Sequence, residues 1–341
     1  MPRVAVTDYT FDSLDIETRL LEPLGLTVVG SQCHTPSELI DLLAHVDYVL
    51  TQFAPIDAAV IAALQAAKVI VRYGIGVDNV DLEAARNKGI PVCNVPDYCV
   101  DEVADHTLAL ILAASRQVVA NANHVAQGHW GLGVPLAMLS CLKTMTVGVI
   151  GFGRIGREVA SRLQPFKCRV QVFDPAVDEA AIRAAGCEPA DLEQVLTSSD
   201  LITLHCPANQ ATFHLLDSNS IDKMKDEAIL VNVDRGTVVA TDDLVEALRH
   251  GKISFAALDV LETEPPPVDH PLRTMKNVIL HSHIASASPA AVNKLRHDAA
   301  TIIARAARGQ SLPNVVNAVA AAADGHGPDR VRKEIPGKVR K

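Results

Sequence analysis

Residues 146–174 read TVGVIGFGRIGREVASRLQPFKCRVQVFD. The segment opens with an apolar strand, TVGVI (146–150). Gly151-Phe152-Gly153-Arg154-Ile155-Gly156 follows as G-x-G-x-x-G, and a helical pattern runs over Ile155–Phe166. A second strand, RVQVF (169–173), then ends on Asp174. Glycines at these places permit a tight turn and close approach of the backbone to a pyrophosphate. The helix N-terminus supplies free N–H groups and the positive end of a dipole. An acid about 20 residues past the turn suits the ribose 2′-hydroxyl and repels a 2′-phosphate, so the spacing points to NAD rather than NADP. Gly74-Ile75-Gly76-Val77-Asp78-Asn79 also follows a strand, but Asn79 stands where the third glycine would be. That loop is assigned to substrate.

Outward from this unit the same alternation continues. Downstream lie LITLH (201–205), AILVNV (228–233), ISFAALDV (253–260) and NVIL (277–280), which with the first two make six strands of a doubly wound nucleotide-binding sheet. Upstream lie RVAVT (3–7), LTVVG (26–30), DYVLT (47–51), KVIV (68–71) and IPVCN (90–94), separated by helical patterns at Ser37–Ala44, Asp57–Ala66 and Asp81–Lys88. Strands alternating with helices imply βαβ units and parallel sheets, so the fold class is α/β with two domains. A long helix is expected from Asp101 to about Gln127, and another from about Pro289 to Arg308. The first joins the domains or packs between subunits.

Composition narrows the function classes. The 341 residues carry 31 Lys and Arg against 40 Asp and Glu, a formal charge of −9. An acidic excess disfavours nucleic acid and anionic membrane as partners. Residues 317–341 run the other way, with six basic and three acidic groups, and read as a mobile basic tail. Seven cysteines (33, 93, 99, 141, 168, 187, 206) form no C-x-x-C pair, as expected of reduced thiols in a cytoplasmic protein. The N-terminus has no signal-peptide pattern, and the longest apolar stretch is too short to span a bilayer.

Three further positions carry chemistry. Arg235, Glu264 and His283 all fall at the C-terminal ends of expected strands, where ligands bind in open α/β sheets. A guanidinium fork can hold a carboxylate, and a histidine can carry a proton near neutral pH. Glu262 is an alternative to Glu264. His281-x-His283 has no Cys or carboxylate set at ligand spacing, so no metal is expected.

RYGIGVDNVDLEAARNKGIPVCNVP (72–96), LVNVDRG (230–236), ALDVLETEP (257–265) and LHSHIAS (280–286) together resemble the NAD-dependent D-2-hydroxyacid dehydrogenases over residues 1–316. VCNVP and VDEVADHTL (100–108) are similar to the C-terminal binding protein subgroup, and phosphoglycerate dehydrogenases and glyoxylate or hydroxypyruvate reductases share the motifs. The resemblance implies Arg235 as substrate-orienting residue, Glu264 as partner acid and His283 as proton carrier. It implies cofactor contacts from Gly151, Gly153, Arg154, Ile155, Gly156, Asp174, Val233, Asp234 and Ser286. It also implies a nicotinamide contact from Asp259, and backbone N–H groups of Gly74, Ile75 and Gly76 for the substrate carboxylate. Cys206-Pro207 resembles the turn lining the cofactor, with a buried structural cysteine as the other reading. It further implies a discontinuous substrate domain, 1–98 plus 288–316, an NAD domain, 99–287, an active-site cleft between them, and a homodimer.

Departures from the family pattern bear on subgroup and substrate. Asp234 replaces a small residue and either pairs with Arg235, contacts cofactor or faces outward. Ser282 replaces a common proline, and Ala285-Ser286-Ala287 lacks an aromatic. Thr51-Gln52-Phe53-Ala54 carries no cation for a substrate phosphate. The expected activity is hydride transfer between NAD(H) and a small unphosphorylated 2-keto or D-2-hydroxy acid of the glyoxylate, hydroxypyruvate or pyruvate type. The alternatives are an NAD(H)-sensing protein-binding module of the C-terminal binding protein type, a phosphoglycerate dehydrogenase, or a relative acting on formate or phosphite.

Overall fold

Runs of β-branched and aliphatic residues too short for helices become strands buried on both faces, as parallel sheets require. The computed structural model describes residues 1–319, and the Asp324–Lys341 stretch that carries the basic tail's charges lies outside the described residues. Two compact units divide at Pro96/Asp97 and, inside the helix Pro289–Ala307, at Lys294/Leu295.

The first unit holds β1 (Arg3–Val6), β2 (Thr27–Gly30), β3 (Tyr48–Thr51), β4 (Val69–Arg72) and β5 (Val92–Cys93), in the order β2-β1-β3-β4-β5 with every pair parallel. This is the flavodoxin-like order. β3 and β4 are buried at every residue. Helices Pro36–Leu43, Ala58–Ala63 and Leu82–Asn87 start at side-chain caps from Thr35, Asp57 and Asp81, the residue types that satisfy a first-turn N–H. A helix at Asp15–Leu21 was not anticipated. It buries Glu17, whose carboxylate accepts from Arg296 Nε and Nη2 at 3.0 and 2.8 Å and from Tyr73 Oη at 3.1 Å. Asn317 is fully buried; it accepts from Val92 N and donates to Ile90 O, so the start of the stretch read as a tail is tied into this unit.

The second unit holds β6 (Thr146–Ile150), β7 (Arg169–Phe173), β8 (Glu188–Pro189), β9 (Leu201–Leu204), β10 (Ala228–Asn232), β11 (Ile253–Leu258) and β12 (Val278–Leu280). Its seven parallel strands run β12-β11-β10-β9-β6-β7-β8. This is the dinucleotide-binding order, with the reversal of direction at β6/β9. The two-residue β8 was not anticipated, because its Glu-Pro lacks strand character. The long helix expected from Asp101 is two helices, Val100–Ser115 and Val118–Ala126. Gln117 between them adopts φ 51°, and its side-chain amide donates to the Ala114 carbonyl, ending the first helix where apolar periodicity alone continued it. Arg162, on the helix Arg154–Leu163, bonds Asp101 and Asp105 on the first of these helices. Among the described residues no helix is long and apolar enough to cross a membrane.

The Glu17–Arg296 pair joins two segments far apart in sequence inside the first unit. Arg296→Met is expected to leave the fully buried Glu17 charge uncompensated, at a cost of about 3–5 kcal/mol. A urea-unfolding midpoint unchanged from the parent would show that the pair adds nothing.

Candidate active site

The phosphate-binding turn follows directly from β6. Gly151 has φ 93°, and a Cβ there would meet the His205 carbonyl; a Cβ at Gly156 would strike the Gly151 carbonyl oxygen. These two glycines let strand, turn and helix close on each other. Gly153 caps the ten-residue helix Arg154–Leu163 without a side-chain bond, leaving its first turn to an anion. Asp174 is held at the end of β7, its carboxylate accepting from Phe152 N at 2.7 Å and from Ala176 N at 2.9 Å. The turn, the helix end and the acid of a dinucleotide site thus stand together, and the donor set fits NAD.

Cys206 lies beside this turn and is buried. Burial, then the Asp234 carboxylate and, more weakly, Asp174 push its thiol up to about 12, so it stays protonated. Asp234 is therefore close enough to Cys206 for its charge to be felt there. Its backbone N–H donates to Asn232 Oδ1, while Asn232 Nδ2 donates to the Arg235 carbonyl. Asn232, buried at the end of β10, braces the arginine turn. An asparagine closing an apolar strand was the signal for it. Gly236 is required next, since a Cβ there would collide with the backbone at Leu261. The Arg235 Nη1 donates to the Asp234 carbonyl at 2.7 Å.

His283 and Glu264 are in contact, with Nδ1 2.8 Å from Oε2. The other carboxylate oxygen, Oε1, accepts from Leu261 N at 2.9 Å. Burial pushes the Glu264 carboxyl up, but the His283 and Leu261 hydrogen bonds and the Arg235 charge outweigh it, and the group sits below the ordinary carboxylate value. Glu262 is elsewhere, bonded to His214 at 2.6 Å and to Thr241 N at 2.7 Å, so Glu264 is the partner of the histidine. His283 itself has φ 57°, a left-handed backbone that a non-glycine residue adopts at a cost. Asp259 holds it there. Its carbonyl accepts from His283 N at 2.8 Å, and its carboxylate oxygens accept from Ile284 N at 2.9 Å and Ala285 N at 2.8 Å. Ser286 follows directly on this clamped turn.

A second histidine pair was hidden from spacing. His106, on the helix Val100–Ser115, places Nε2 2.9 Å from Nδ1 of His281 and 4.0 Å from Oδ1 of Asp259. Burial lowers the His106 proton affinity against the opposing pull of Asp259. The carboxylate missing near His281 in sequence is thus supplied from another strand end.

In the first unit, the loop after β4 has Gly74 at φ 148°, with its N–H donating to the Arg72 carbonyl at 2.9 Å. Asn94 Nδ2 donates to the Ile75 carbonyl at 2.6 Å. Gly74 therefore uses its own N–H locally, which leaves Ile75 and Gly76 of the three expected donors. The Arg72 guanidinium packs on Gly74 and lies 5.8 Å from the Phe53 ring centroid. The cation absent from residues 51–54 arrives from the neighbouring strand.

Residues 108–285 match the family model described as D-isomer specific 2-hydroxyacid dehydrogenase, NAD binding domain. A glyoxylate reductase of Korarchaeum cryptofilum is 38% identical over 265 residues, covering 77% of this chain and 80% of that one. A D-3-phosphoglycerate dehydrogenase of Archaeoglobus fulgidus is also 38% identical, over 266 residues, but the chain spans only 49% of its length. The crystal structure of D-lactate dehydrogenase from Aquifex aeolicus, complexed with NAD and lactic acid, aligns with a TM-score of 0.81 at 27% identity over 90% of this chain and 96% of that one. The protein belongs to the D-isomer specific 2-hydroxyacid dehydrogenase family. It is an NAD-dependent oxidoreductase whose second unit carries the family's NAD-binding domain.

Removing the Glu264 charge tests the histidine pair. Nδ1 of His283 meets Glu264 Oε2 at 2.8 Å, so Glu264→Gln is expected to lower kcat for keto-acid reduction by about 10². Glu262→Gln, which touches only His214 and Thr241, should keep the parental kcat. Equal losses in both variants would reverse the assignment.

Proposed function

We propose that the protein interconverts small unphosphorylated 2-keto acids and D-2-hydroxy acids, of the glyoxylate, hydroxypyruvate or pyruvate type. The observation that carries this is the His283–Glu264 pair at 2.8 Å, with the Arg235 charge felt at Glu264. NAD, when bound, supplies or accepts the hydride. Arg235 holds the substrate carboxylate through its planar fork and polarises the carbonyl. Nδ1 of His283 faces Glu264, so Nε2 is the atom that delivers the proton to the carbonyl oxygen as charge builds there. In the oxidative direction the same nitrogen, unprotonated, takes the proton from the hydroxyl. Gly151, Gly153, Arg154, Ile155, Gly156, Asp174 and the Cys206-Pro207 turn serve the cofactor, as do Val233, Asp234, Asp259 and Ser286. The first unit is assigned to substrate, with the Gly74–Gly76 loop as a carboxylate-binding element.

Arg72 favours a second reading, oxidation of 3-phosphoglycerate, because it brings a cation beside Phe53. Its guanidinium is largely buried, 8% exposed for the residue, and packed on Gly74, which suits a carboxylate loop better than a phosphate needing several exposed donors. NADH oxidation with glyoxylate, hydroxypyruvate and pyruvate, alongside NAD reduction with 3-phosphoglycerate, separates the two. Turnover of at least one unphosphorylated acid is expected, with 3-phosphoglycerate at least tenfold poorer in kcat/KM and His283→Asn reduced by about 10² or more. Comparable use of 3-phosphoglycerate, or full activity in the variant, would overturn the assignment. No turnover of any acid would favour an NAD(H)-sensing role.

The functional form is proposed to be a cytoplasmic homodimer. Seven free thiols suit a reducing compartment. The segment after Ser115 exposes Val118, Val119, Val125, Leu132, Leu136 and Trp130, the last at 92%, an apolar surface that a second copy would cover. Light scattering should give twice the mass of the chain, and Val119→Asp with Trp130→Asp should give the monomer. A monomeric parent protein would rule the dimer out.

A further inference from the structure

The His106–His281 pair takes no part in the reaction described above, yet it is built against the same turn. His106 comes from the middle of a sixteen-residue helix, Asp259 from the end of β11 and His281 from the end of β12. One ligand atom from each, two ring nitrogens and a carboxylate oxygen, all lie within 4.8 Å of one another.

We propose that His106, Asp259 and His281 form a binding site for a divalent transition-metal ion of the zinc type, and that the ion inhibits the enzyme. Ligand atoms around a four-coordinate zinc at bond lengths of about 2.0–2.2 Å lie somewhat over 3 Å apart. The observed separations, 2.9 Å between the ring nitrogens and 4.0 Å from His106 to Asp259, straddle that value. All three atoms lie within 4.8 Å of one another, so side-chain movement on the order of an ångström brings them to one centre. Two imidazoles and one carboxylate select zinc, cobalt, nickel or copper over magnesium and calcium, which prefer all-oxygen shells. Three protein ligands leave a fourth position for water. An ion bound by both rings replaces the hydrogen bond between His106 Nε2 and His281 Nδ1, and the proton of that bond passes to solvent.

The carboxylate is oriented in advance. Both Asp259 oxygens accept backbone N–H groups, from Ile284 and Ala285, so the side chain cannot swing away and keeps a lone pair of each oxygen for another partner. Its burial, at 1% exposure, places a dication in a poorly screened setting. The consequence for turnover rests on the role proposed for His283. Asp259 holds the turn that carries His283, so an ion drawing on that carboxylate loads the same clamp.

The test uses the untagged full-length protein after chelator treatment. Cobalt(II) chloride titration should develop d–d absorption saturating at one equivalent, without the thiolate charge-transfer band that the exposed Cys141 would give. Zinc chloride should bind with the same stoichiometry by calorimetry and inhibit NADH-dependent keto-acid reduction, and chelator should reverse the inhibition. His281→Thr and His106→Asn, each checked for a parental circular-dichroism spectrum and NADH affinity, should lose the cobalt spectrum and raise the half-inhibitory zinc concentration at least tenfold. Absence of a one-equivalent site in the parent protein overturns the proposal, as does a thiolate spectrum or unchanged binding in folded variants. Cobalt binding is read without substrate, so failure of every keto acid to react would leave this result standing.

Discussion

The buried Asp259 carboxylate is the constraint on which the catalytic half of the second unit depends. Two backbone N–H groups and no solvent surround it, and those N–H groups belong to the residues just after His283. The histidine is thereby kept in a left-handed backbone that it would not adopt in isolation. Without this clamp, Nδ1 would have no fixed approach to Glu264, and the proton-carrying nitrogen would have no fixed direction. A carboxylate that is costly to bury is tolerated because each of its oxygens accepts a backbone N–H.

Glycine does the complementary work at the strand ends. Gly151 and Gly156 allow β6, its turn and the following helix to touch through backbone alone, and Gly236 does the same where the arginine turn meets Leu261. These contacts bring three loops of a single parallel sheet to one edge. The residues proposed for cofactor and proton transfer then require little further positioning, apart from the brace at Asn232 and the clamp at Asp259. Rigid placement of this kind is what lets a shallow set of side chains act as a site.

Much of this was legible in sequence because it is local. The strand–turn–helix around Gly151 is written in consecutive residues, as are the side-chain caps at Asp57 and Asp81. The elements that were misread depended on partners elsewhere. Asp15–Leu21 is short and carries buried Glu17, whose partner Arg296 lies far along the chain. The break at Gln117 follows from one side chain turning back on its own helix, which leaves the apolar period unchanged. Glu264 and Glu262 could not be told apart by spacing, because only the fold shows which carboxylate meets His283 and which meets His214.

The sequence by itself determined the α/β class, the two series of parallel strands, the NAD turn with Asp174, and Arg235, Glu264 and His283 as the residues of interest. Each of these is a pattern of neighbours within one strand–loop–helix unit. Tertiary structure alone decided the pairing of Glu264 with His283, the clamp at Asp259, the approach of Arg72 to Phe53, and the meeting of His106 with His281. Those contacts join residues from different strands and helices, where sequence separation carries no information about distance. Parallel sheets gather the C-terminal ends of distant strands along one edge, so the chemistry converges only once the strand order is formed.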